Sequence, residues 1–195
     1  MKSVPFEIER KYLIKKPDEK FLSSVCTKKI RISQSYLTAE HRGLTQRIRR
    51  IDDGNSVSYV MTEKKDITAV RRIELERPLD AAEYRSLLKH RRAAGTNTIE
   101  KTRFVIPNGK FNFEVDLFDG WESLALMEIE LESENETFEF CDYMKFFKFA
   151  DENTEIVILK EVTGDRKFLN YSLSLAFPEE YVEVLKLETK YGKKL

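Results

Sequence analysis

The sequence has few of the residues that build disulfide frameworks or zinc sites. Among 195 residues it contains two cysteines, Cys26 and Cys141, and two histidines, with no CxxC pair and no histidine near either cysteine. Structural zinc sites use closely spaced Cys and His ligands, and small secreted domains depend on several disulfides. We therefore expect two reduced thiols, and neither a zinc module nor a disulfide scaffold.

Long apolar runs and an excess of one charge are also missing. No run approaches the length of about 18 apolar residues that suggests a membrane span, and the N-terminal stretch lacks the apolar core of a signal peptide. Lys plus Arg and Asp plus Glu both number 34, which gives a formal net charge of zero. Nucleic-acid-binding domains usually have a basic excess. We expect a cytoplasmic protein that binds neither membranes nor nucleic acids.

Glycine and proline are scarce, at seven and five residues, and they are scattered. No linker, repeat or low-complexity tract divides the chain, so one domain over residues 1–195 is expected. Alternation of apolar and polar residues predicts β-strands. The predicted strands are 5–14, 30–38, 44–51, 56–64, 70–78, 97–107, 110–118 and 124–133, with a weaker ninth near 155–163.

Helical patterns interrupt the strands at three places. Asp80 and Glu83 form a capping-box pattern that predicts a helix to Ala94, followed by Gly95. The helical spacing of apolar residues predicts a second helix at 136–149, and an apolar stripe predicts a third from Pro178 to Gly192. These helices are expected to cover the edges or ends of a β-barrel.

One face of the predicted strands is repeatedly ionic. The charged or polar positions on that face are Glu7, Glu9 and Lys11; Arg47 and Arg49; Thr62 and Lys64; Arg72, Glu74 and Glu76; Lys101 and Arg103; Glu114 and Asp116; and Glu128 and Glu130. Such a face is either a solvent surface with ion pairs or the lining of a ligand site. Like charges two residues apart lie about 7 Å from each other and repel, and exposed ion pairs contribute only about 0–1 kcal/mol. Clustered carboxylates suit Mg²⁺ or Mn²⁺, whereas clustered Arg and Lys suit phosphoryl oxygens, so the pattern favours a metal-bound polyphosphate.

The spacing of Glu7, Glu9 and Lys11 resembles the ExExK motif of the CYTH superfamily, the triphosphate tunnel metalloenzymes. The resemblance continues in order over roughly residues 6–176. Its further segments are Gln34 to Leu37, Arg47 to Arg49, Thr62 to Lys64, Arg72 to Glu76, Glu100 to Phe104, Glu114 to Phe118, Glu128 to Glu130, Glu161 to Asp165 and Asn170.

The resemblance implies an α+β fold with a closed eight-stranded antiparallel β-barrel, a tunnel, and helices packed outside it and at the C-terminus. It also implies a site for Mg²⁺ or Mn²⁺ with the ligands Glu7, Glu9, Glu114, Asp116, Glu128 and Glu130. The implied triphosphate-binding residues are Lys11, Arg47, Arg49, Lys64, Arg72, Lys101 and Arg103. Glu74 and Glu76 either bind metal or pair with neighbouring basic residues.

Two pairs of residues are candidate activators of the attacking water. Glu128 or Glu130 would act together with a metal that acidifies the water. Tyr36 and Lys101 match positions proposed as a catalytic pair in some bacterial triphosphatases, although Tyr36 as a barrel-wall aromatic and Lys101 as a phosphate ligand are the simpler interpretations.

The segment from Glu161 to Asp165, with Asn170, is similar to the bacterial inorganic triphosphatase branch, which commonly has tyrosine where this chain has Phe168. We expect hydrolysis of inorganic triphosphate to pyrophosphate and phosphate. The alternatives are a nucleoside or thiamine triphosphatase, a class IV adenylyl cyclase, and a non-catalytic polyphosphate-binding module. The partner is a small-molecule triphosphate, and the Phe-rich stretch 138–149, core in the simplest interpretation, leaves a homodimer contact open.

Overall fold

The computed structural model describes residues 6–38, 44–66 and 71–176, except for the side chains of 6, 7, 65, 66, 71 and 72. The side chains of Glu7 and Arg72, two of the predicted site residues, therefore lie outside the described part. The predicted C-terminal helix, from Pro178 to Gly192, also lies outside it.

The described residues form one ten-stranded sheet with three short helices. The sheet order is β5-β4-β3-β2-β6-β7-β8-β1-β10-β9, and β5 also pairs with β1 through Phe6–Ile8 and Arg71–Ile73. The strands are β1 Phe6–Lys15, β2 Lys28–Leu37, β3 Thr45–Asp52, β4 Val57–Asp66, β5 Arg71–Leu79, β6 Ile99–Asn108, β7 Phe111–Phe118, β8 Leu124–Glu130, β9 Met144–Phe146 and β10 Ile156–Glu161. The helices are α1 Glu19–Val25, α2 Ala81–Arg91 and α3 Asn170–Leu175.

The sheet differs from the prediction of eight antiparallel strands. It has ten strands in the described residues, and β9 runs parallel to β10 while the other pairings are antiparallel. The weakly predicted strand near 155–163 is β10. The added strands extend the sheet beyond β1, which also pairs with β8 along Glu9–Lys15.

The predicted helix at 136–149 is wrong. This stretch contains irregular chain, β9 and a 3-10 turn at Phe147–Phe149. Its aromatic rings pack around Tyr12, with ring centroids 5.3 Å away for Phe140 and 6.5 Å for Phe146. Packing against the outside of the sheet therefore determines its conformation, and the apparent helical spacing of apolar residues was incidental.

The two helices before β6 begin at aspartate N-caps. The carboxylate of Asp80 accepts hydrogen bonds from the backbone amides of Ala82 and Glu83, which confirms the predicted start of α2. The helix ends at Arg91, three residues before the predicted end. Asp18 caps α1 in the same way, although no helix was predicted there.

The outer face of the sheet is covered by two apolar clusters. The larger joins α1, β1, β6, β7, β8, β9 and β10 and includes the fully buried Phe104 and Phe113. The smaller packs Tyr84 of α2 against Ile48 and Met61 of β3 and β4. Burying each large apolar side chain contributes about 1.5–3 kcal/mol to the stability of the fold. These clusters therefore hold the strands in register, while the opposite faces of the strands remain ionic.

A third apolar cluster lies on the inner side, where β1, β2 and β6–β8 approach the segment before and within α3. It contains Leu13, Phe118, Trp121 and Leu126 from the β1, β7 and β8 region, together with Phe168. The rings of Phe118 and Trp121 stack with centroids 4.8 Å apart. Apolar side chains therefore fill this end of the interior, and the charged side chains lie next to them, with Tyr36 at the border.

Candidate functional site

The inner faces of the strands surround a cavity of about 570 Å³, which is within the range of roughly 300–1,000 Å³ seen for small-molecule sites. Side chains from β1 to β8 line the cavity, and residues 169–171 close one part of it. The lining residues are Glu9, Lys11, Gln34, Tyr36, Thr45, Arg47, Arg49, Lys64, Glu74, Glu76, Lys101, Arg103, Glu114, Glu128, Glu130, Leu169, Asn170 and Tyr171.

One wall of the cavity is acidic. Glu9 of β1 stands opposite Glu130 of β8, and Glu128 of β8 stands opposite Glu114 of β7. Opposed residues on antiparallel strands have their Cβ atoms about 4.5–5.5 Å apart, and like charges at such positions repel. The arrangement is therefore stable only when cations lie among the carboxylates.

Lys11 supplies one of these cations. Its Nζ lies 2.7 Å from Oε1 of Glu128 and 3.7 Å from Oε1 of Glu9, and it donates to the carbonyl oxygen of Phe168 at 3.5 Å. Burial would raise the pKa of Glu128, but Lys11 and Arg103 outweigh it and hold that pKa well below its usual range. Glu128 is therefore an ionised carboxylate at neutral pH.

Arg103 supplies the second cation and contacts three carboxylates. Its Nε and Nη2 donate to Asp116 at 2.7 Å each, its Nη2 donates to Glu128 at 3.0 Å, and its Nη1 pairs with Glu114. Burial raises the pKa of Glu114, whereas the pKa of the opposed Glu128 is lowered. Two facing carboxylates with pKa values shifted in opposite directions are a common property of catalytic sites.

Asp116 is buried behind this wall and is not among the residues that line the cavity. It accepts hydrogen bonds from Arg103 and from Nζ of Lys101. Burial would raise its pKa, but these two cations lower it. Burial also lowers the pKa of Lys101 to about 8 despite the attraction of Asp116. Asp116 thus orients two cations that lie closer to the cavity.

The opposite wall is basic. Arg47 and Arg49 of β3 lie on the same face, and their Nε atoms are buried without a hydrogen-bond partner in the described structure. Burial and the neighbouring Arg47 lower the pKa of Arg49 to about 10. An anion with several oxygen atoms would relieve the repulsion between the two guanidinium groups.

Glu74 and Glu76 of β5 partly balance the basic wall. Nη2 of Arg47 lies 3.1 Å from Oε1 of Glu74, and Lys64 pairs with the same carboxylate. Arg49 pairs with Glu76, which also accepts a hydrogen bond from Thr62 at 2.9 Å. Of the two roles considered for these glutamates, the structure shows the pairing with basic residues.

Tyr36 lies between the basic wall and the filled end of the interior. Its ring makes an edge contact with Tyr171, with centroids 5.0 Å apart. Burial raises its pKa to about 12, so its hydroxyl stays protonated at neutral pH. Nε2 of Gln34 donates a hydrogen bond to that hydroxyl at 3.1 Å.

The structure brings together most of the residues predicted from the sequence. The predicted residues that line the cavity are Glu9, Lys11, Tyr36, Arg47, Arg49, Lys64, Lys101, Arg103, Glu114, Glu128 and Glu130. Glu7 and Arg72 are register partners on β1 and β5, and their side chains are not described. Sequence reasoning assigned no role to Gln34, Thr45 or Tyr171; the alternation that placed Tyr36 on the inner face also places Gln34 there.

The acidic wall is the part of the cavity that could hold a metal ion. The acidic wall offers carboxylate oxygens, the ligands that Mg²⁺ and Mn²⁺ prefer. Among the described residues, however, no group of three or more His, Cys, Asp or Glu side chains is arranged to hold a metal ion. The donor set fits a hard divalent cation, but Lys11 and Arg103 hold the carboxylates in the present arrangement.

No helix of the described part of the chain has the length and apolar character needed to cross a membrane.

The sequence matches a known protein family. No curated protein matches the sequence. A family model described as the CYTH domain matches residues 5–169.

Several solved structures are similar to this chain. The hypothetical protein NE1496 is 26% identical with a TM-score of 0.52, over 88% of this chain and 99% of that chain. A conserved hypothetical protein from Pyrococcus furiosus is 22% identical with a TM-score of 0.51, and the PH1819 protein from Pyrococcus horikoshii OT3 is 21% identical with a TM-score of 0.50; each match covers 66% of this chain and 80% of that chain. The last two show a shared fold alone. Since the family model spans most of the chain, including every strand of the charged cavity, this protein belongs to the CYTH domain family.

Proposed function

We propose that this protein is a metal-dependent triphosphatase that hydrolyses inorganic triphosphate to pyrophosphate and phosphate. We further propose that β1 to β8 form a closed tunnel around the substrate. In the order of the sheet these eight strands run from β5 to β1, and the pairing of β1 with β5 would join the two ends. The observation that carries the proposal is the convergence of basic and acidic side chains on one cavity within a CYTH domain.

The charge of the lining supports a substrate that arrives with a metal. The described lining contains six cationic residues, Lys11, Arg47, Arg49, Lys64, Lys101 and Arg103, and six glutamates, Glu9, Glu74, Glu76, Glu114, Glu128 and Glu130. A lining with balanced charge does not neutralise a polyanion such as triphosphate. Additional cations are therefore needed, and divalent metals coordinated by phosphate and carboxylate oxygens provide them.

The metal, Mg²⁺ or Mn²⁺, would be held by Glu9, Glu114, Glu128 and Glu130, the carboxylates that line the cavity. Such an ion neutralises phosphoryl charge and lowers the pKa of water. Glu7 is a further proposed ligand. Asp116 contributes by orienting Lys101 and Arg103 from behind the wall.

The basic residues would bind and orient the triphosphate. Arg47, Arg49 and Lys64 form one side of its path, while Lys11, Lys101 and Arg103 connect that path to the acidic wall. Guanidinium groups bind phosphoryl oxygens with two parallel hydrogen bonds, which fixes the substrate as well as neutralising it. Positioning and charge stabilisation account for most of the catalysis of phosphoryl transfer.

The pKa shifts favour one of the two candidate sets of water-activating residues. Glu128, whose pKa is held low by Lys11 and Arg103 against the effect of burial, is an ionised acceptor that can orient a water together with Glu130. Tyr36, whose pKa is about 12 because it is buried, is a neutral donor. We therefore assign water activation to Glu128 and Glu130, and binding of phosphoryl oxygens to Tyr36 and Lys101.

The proposal is tested by phosphate release from inorganic triphosphate, ATP, thiamine triphosphate and pyrophosphate, each with Mg²⁺ or Mn²⁺. Wild type is compared with Glu9→Gln, and Glu122→Gln on the exposed turn before β8 is the matched control. We expect triphosphate to be the best substrate and Glu9→Gln alone to lose activity. Faster release from a nucleoside or thiamine triphosphate, or formation of cyclic AMP from ATP, would replace the proposed substrate or reaction. Binding without any turnover would identify a polyphosphate-binding module.

A further inference from the structure

Gln34 is a buried polar side chain beside the proposed catalytic groups. It precedes Tyr36 by two residues on β2, so both side chains lie on the inner face of the strand. Gln34 is 1% exposed and Tyr36 is 3% exposed, and both line the cavity. The amide Nε2 of Gln34 donates to the hydroxyl oxygen of Tyr36 at 3.1 Å.

The hydroxyl oxygen of Tyr36 lies beside cationic side chains. Arg47, the register partner of Tyr36 on β3, acts to lower the pKa of Tyr36 against the larger effect of burial. A phenolic hydroxyl accepts through its oxygen and donates one hydrogen, whereas a guanidinium group only donates. Because the oxygen accepts from Gln34, the hydrogen of the Tyr36 hydroxyl is directed toward another partner.

The charged groups that lower the pKa of Tyr36 cannot accept this hydrogen, because Arg47, Lys11 and Arg49 are cations without acceptor atoms. Among the described residues, the hydroxyl accepts from Gln34 and donates no hydrogen bond to a protein group. An acceptor in the cavity would complete its hydrogen bonding. A phosphoryl oxygen is a strong acceptor of the required kind.

We propose that Gln34 is a positioning residue, which donates to Tyr36 so that the tyrosine hydroxyl donates to a phosphoryl oxygen of the bound triphosphate. The identity of the acceptor rests on the proposed function, whereas the bond between Gln34 and Tyr36 does not. Gln34 acts through Tyr36, and it needs no contact with the substrate.

Substitutions of similar size separate this role from packing. Gln34→Met keeps the approximate volume but removes the donor. Gln34→Glu places a carboxylate beside Tyr36 that accepts the hydroxyl hydrogen and turns it away from the cavity. Gln46→Met is the matched control, since Gln46 is a buried glutamine on the neighbouring strand whose amide donates to Glu63 and is not part of the cavity lining.

The first test is a double-mutant cycle with Tyr36→Phe, measured as both triphosphate hydrolysis and triphosphate affinity. Gln34→Met should lower kcat/KM about tenfold, the size expected for one hydrogen bond, and Gln34→Glu should lower it further. In the Tyr36→Phe background, Gln34→Met should have less than about a twofold effect, because the group on which it acts is absent. An equal loss in both backgrounds would overturn the proposal.

The second test needs no substrate. Tyrosines are replaced by 3-fluorotyrosine, whose phenol has a lower pKa, and the ¹⁹F signal that disappears in Tyr36→Phe identifies Tyr36. Because a donor on the oxygen stabilises the phenolate, Gln34→Met should raise the pKa of Tyr36, and Gln46→Met should leave it unchanged. An unchanged pKa in Gln34→Met would overturn the proposal.

The two tests also distinguish this inference from the proposed function. If wild type neither hydrolyses nor binds triphosphate, the proposed function fails, while a raised pKa of Tyr36 in Gln34→Met would still support the positioning role. If wild type hydrolyses triphosphate and the cycle shows no coupling, the proposed function stands and the role of Gln34 is refuted.

Discussion

The ammonium group of Lys11 lies 2.7 Å from a carboxylate oxygen of Glu128 and 3.7 Å from one of Glu9. Lys11 therefore occupies the space between two proposed metal ligands. A triphosphate that attracts Lys11 toward its own oxygens would release both carboxylates for the metal. By thermodynamic linkage, triphosphate and metal should then increase each other's affinity.

Lys11→Met tests this competition. We expect Mn²⁺ to bind about tenfold more tightly in the absence of triphosphate, since a positive charge is removed from between the carboxylates. Affinity for triphosphate should fall in the same variant. Calorimetric titration with Mn²⁺ and with triphosphate measures both effects, and Lys110→Met, at an exposed position on the β6–β7 turn, is the control. Unchanged or weaker Mn²⁺ binding in Lys11→Met would contradict the competition.

Arg49→Met should weaken triphosphate binding by about 10- to 100-fold, the range expected for loss of hydrogen bonds to a charged group. Arg49 is buried beside Arg47, and its Nε has no protein partner in the described structure, so an anionic ligand gains from both guanidinium groups. Equilibrium binding at several salt concentrations measures the effect. Arg85→Met, on the exposed face of α2, should bind as wild type does. A loss below threefold for Arg49→Met would exclude this residue from the phosphate path.

Tyr36→Phe should lower activity by the same factor throughout pH 6–10, a range set by the raised pKa of Tyr36. Burial raises that pKa to about 12, so the hydroxyl is protonated over this range and acts as a donor. The ratio of wild-type to variant kcat/KM, measured against pH, checks this expectation. A ratio that increases steadily with pH would show that Tyr36 acts as a base.

Asp80→Ala should reduce the free energy of unfolding by about 1 kcal/mol, the usual cost of losing an N-cap side chain. The carboxylate of Asp80 accepts from two backbone amides at 2.8 Å each. Urea denaturation measures the change, which should appear as a lower midpoint with an unchanged slope. Asp80→Asn keeps an acceptor at the cap and should stay close to wild type. Equal destabilisation by both substitutions would mean that the cap is not the cause.

The strands and most of the lining could be predicted because their signal is local. Successive side chains of a half-buried strand point to opposite faces, so apolar and polar residues alternate along it. The ends of the eight predicted strands match those of β1 to β8 to within about three residues. Tight turns add a second local signal, as at Gly109 between β6 and β7, where φ is +61°. Alternation then places Arg47 and Arg49 on one face without knowledge of the neighbouring strands.

The features that the sequence predicted wrongly or missed depend on contacts between distant parts of the chain. The stretch that contains Phe138, Phe140 and Phe146 is shaped by packing around Tyr12, more than 120 residues earlier, so its local pattern was misleading. The burial of Asp116 behind the acidic wall depends on two cations of β6 and could not be read from β7 alone. Tyr171 enters the cavity from outside the strands, where no periodicity marks it.

The pairing of β1 with β5 involves three residue pairs in the described structure, whereas β1 and β8 share seven and β4 and β5 share eight. Local opening has the lowest free energy where the fewest hydrogen bonds must break. Amide hydrogens at this junction should therefore exchange with solvent faster than those of β6 and β7, which share eight residue pairs. Glu7 and Arg72, two proposed site residues, are register partners at this junction, so local opening of the sheet there affects the site. A ligand bound in the cavity should therefore slow amide hydrogen exchange at the junction more than elsewhere in the sheet.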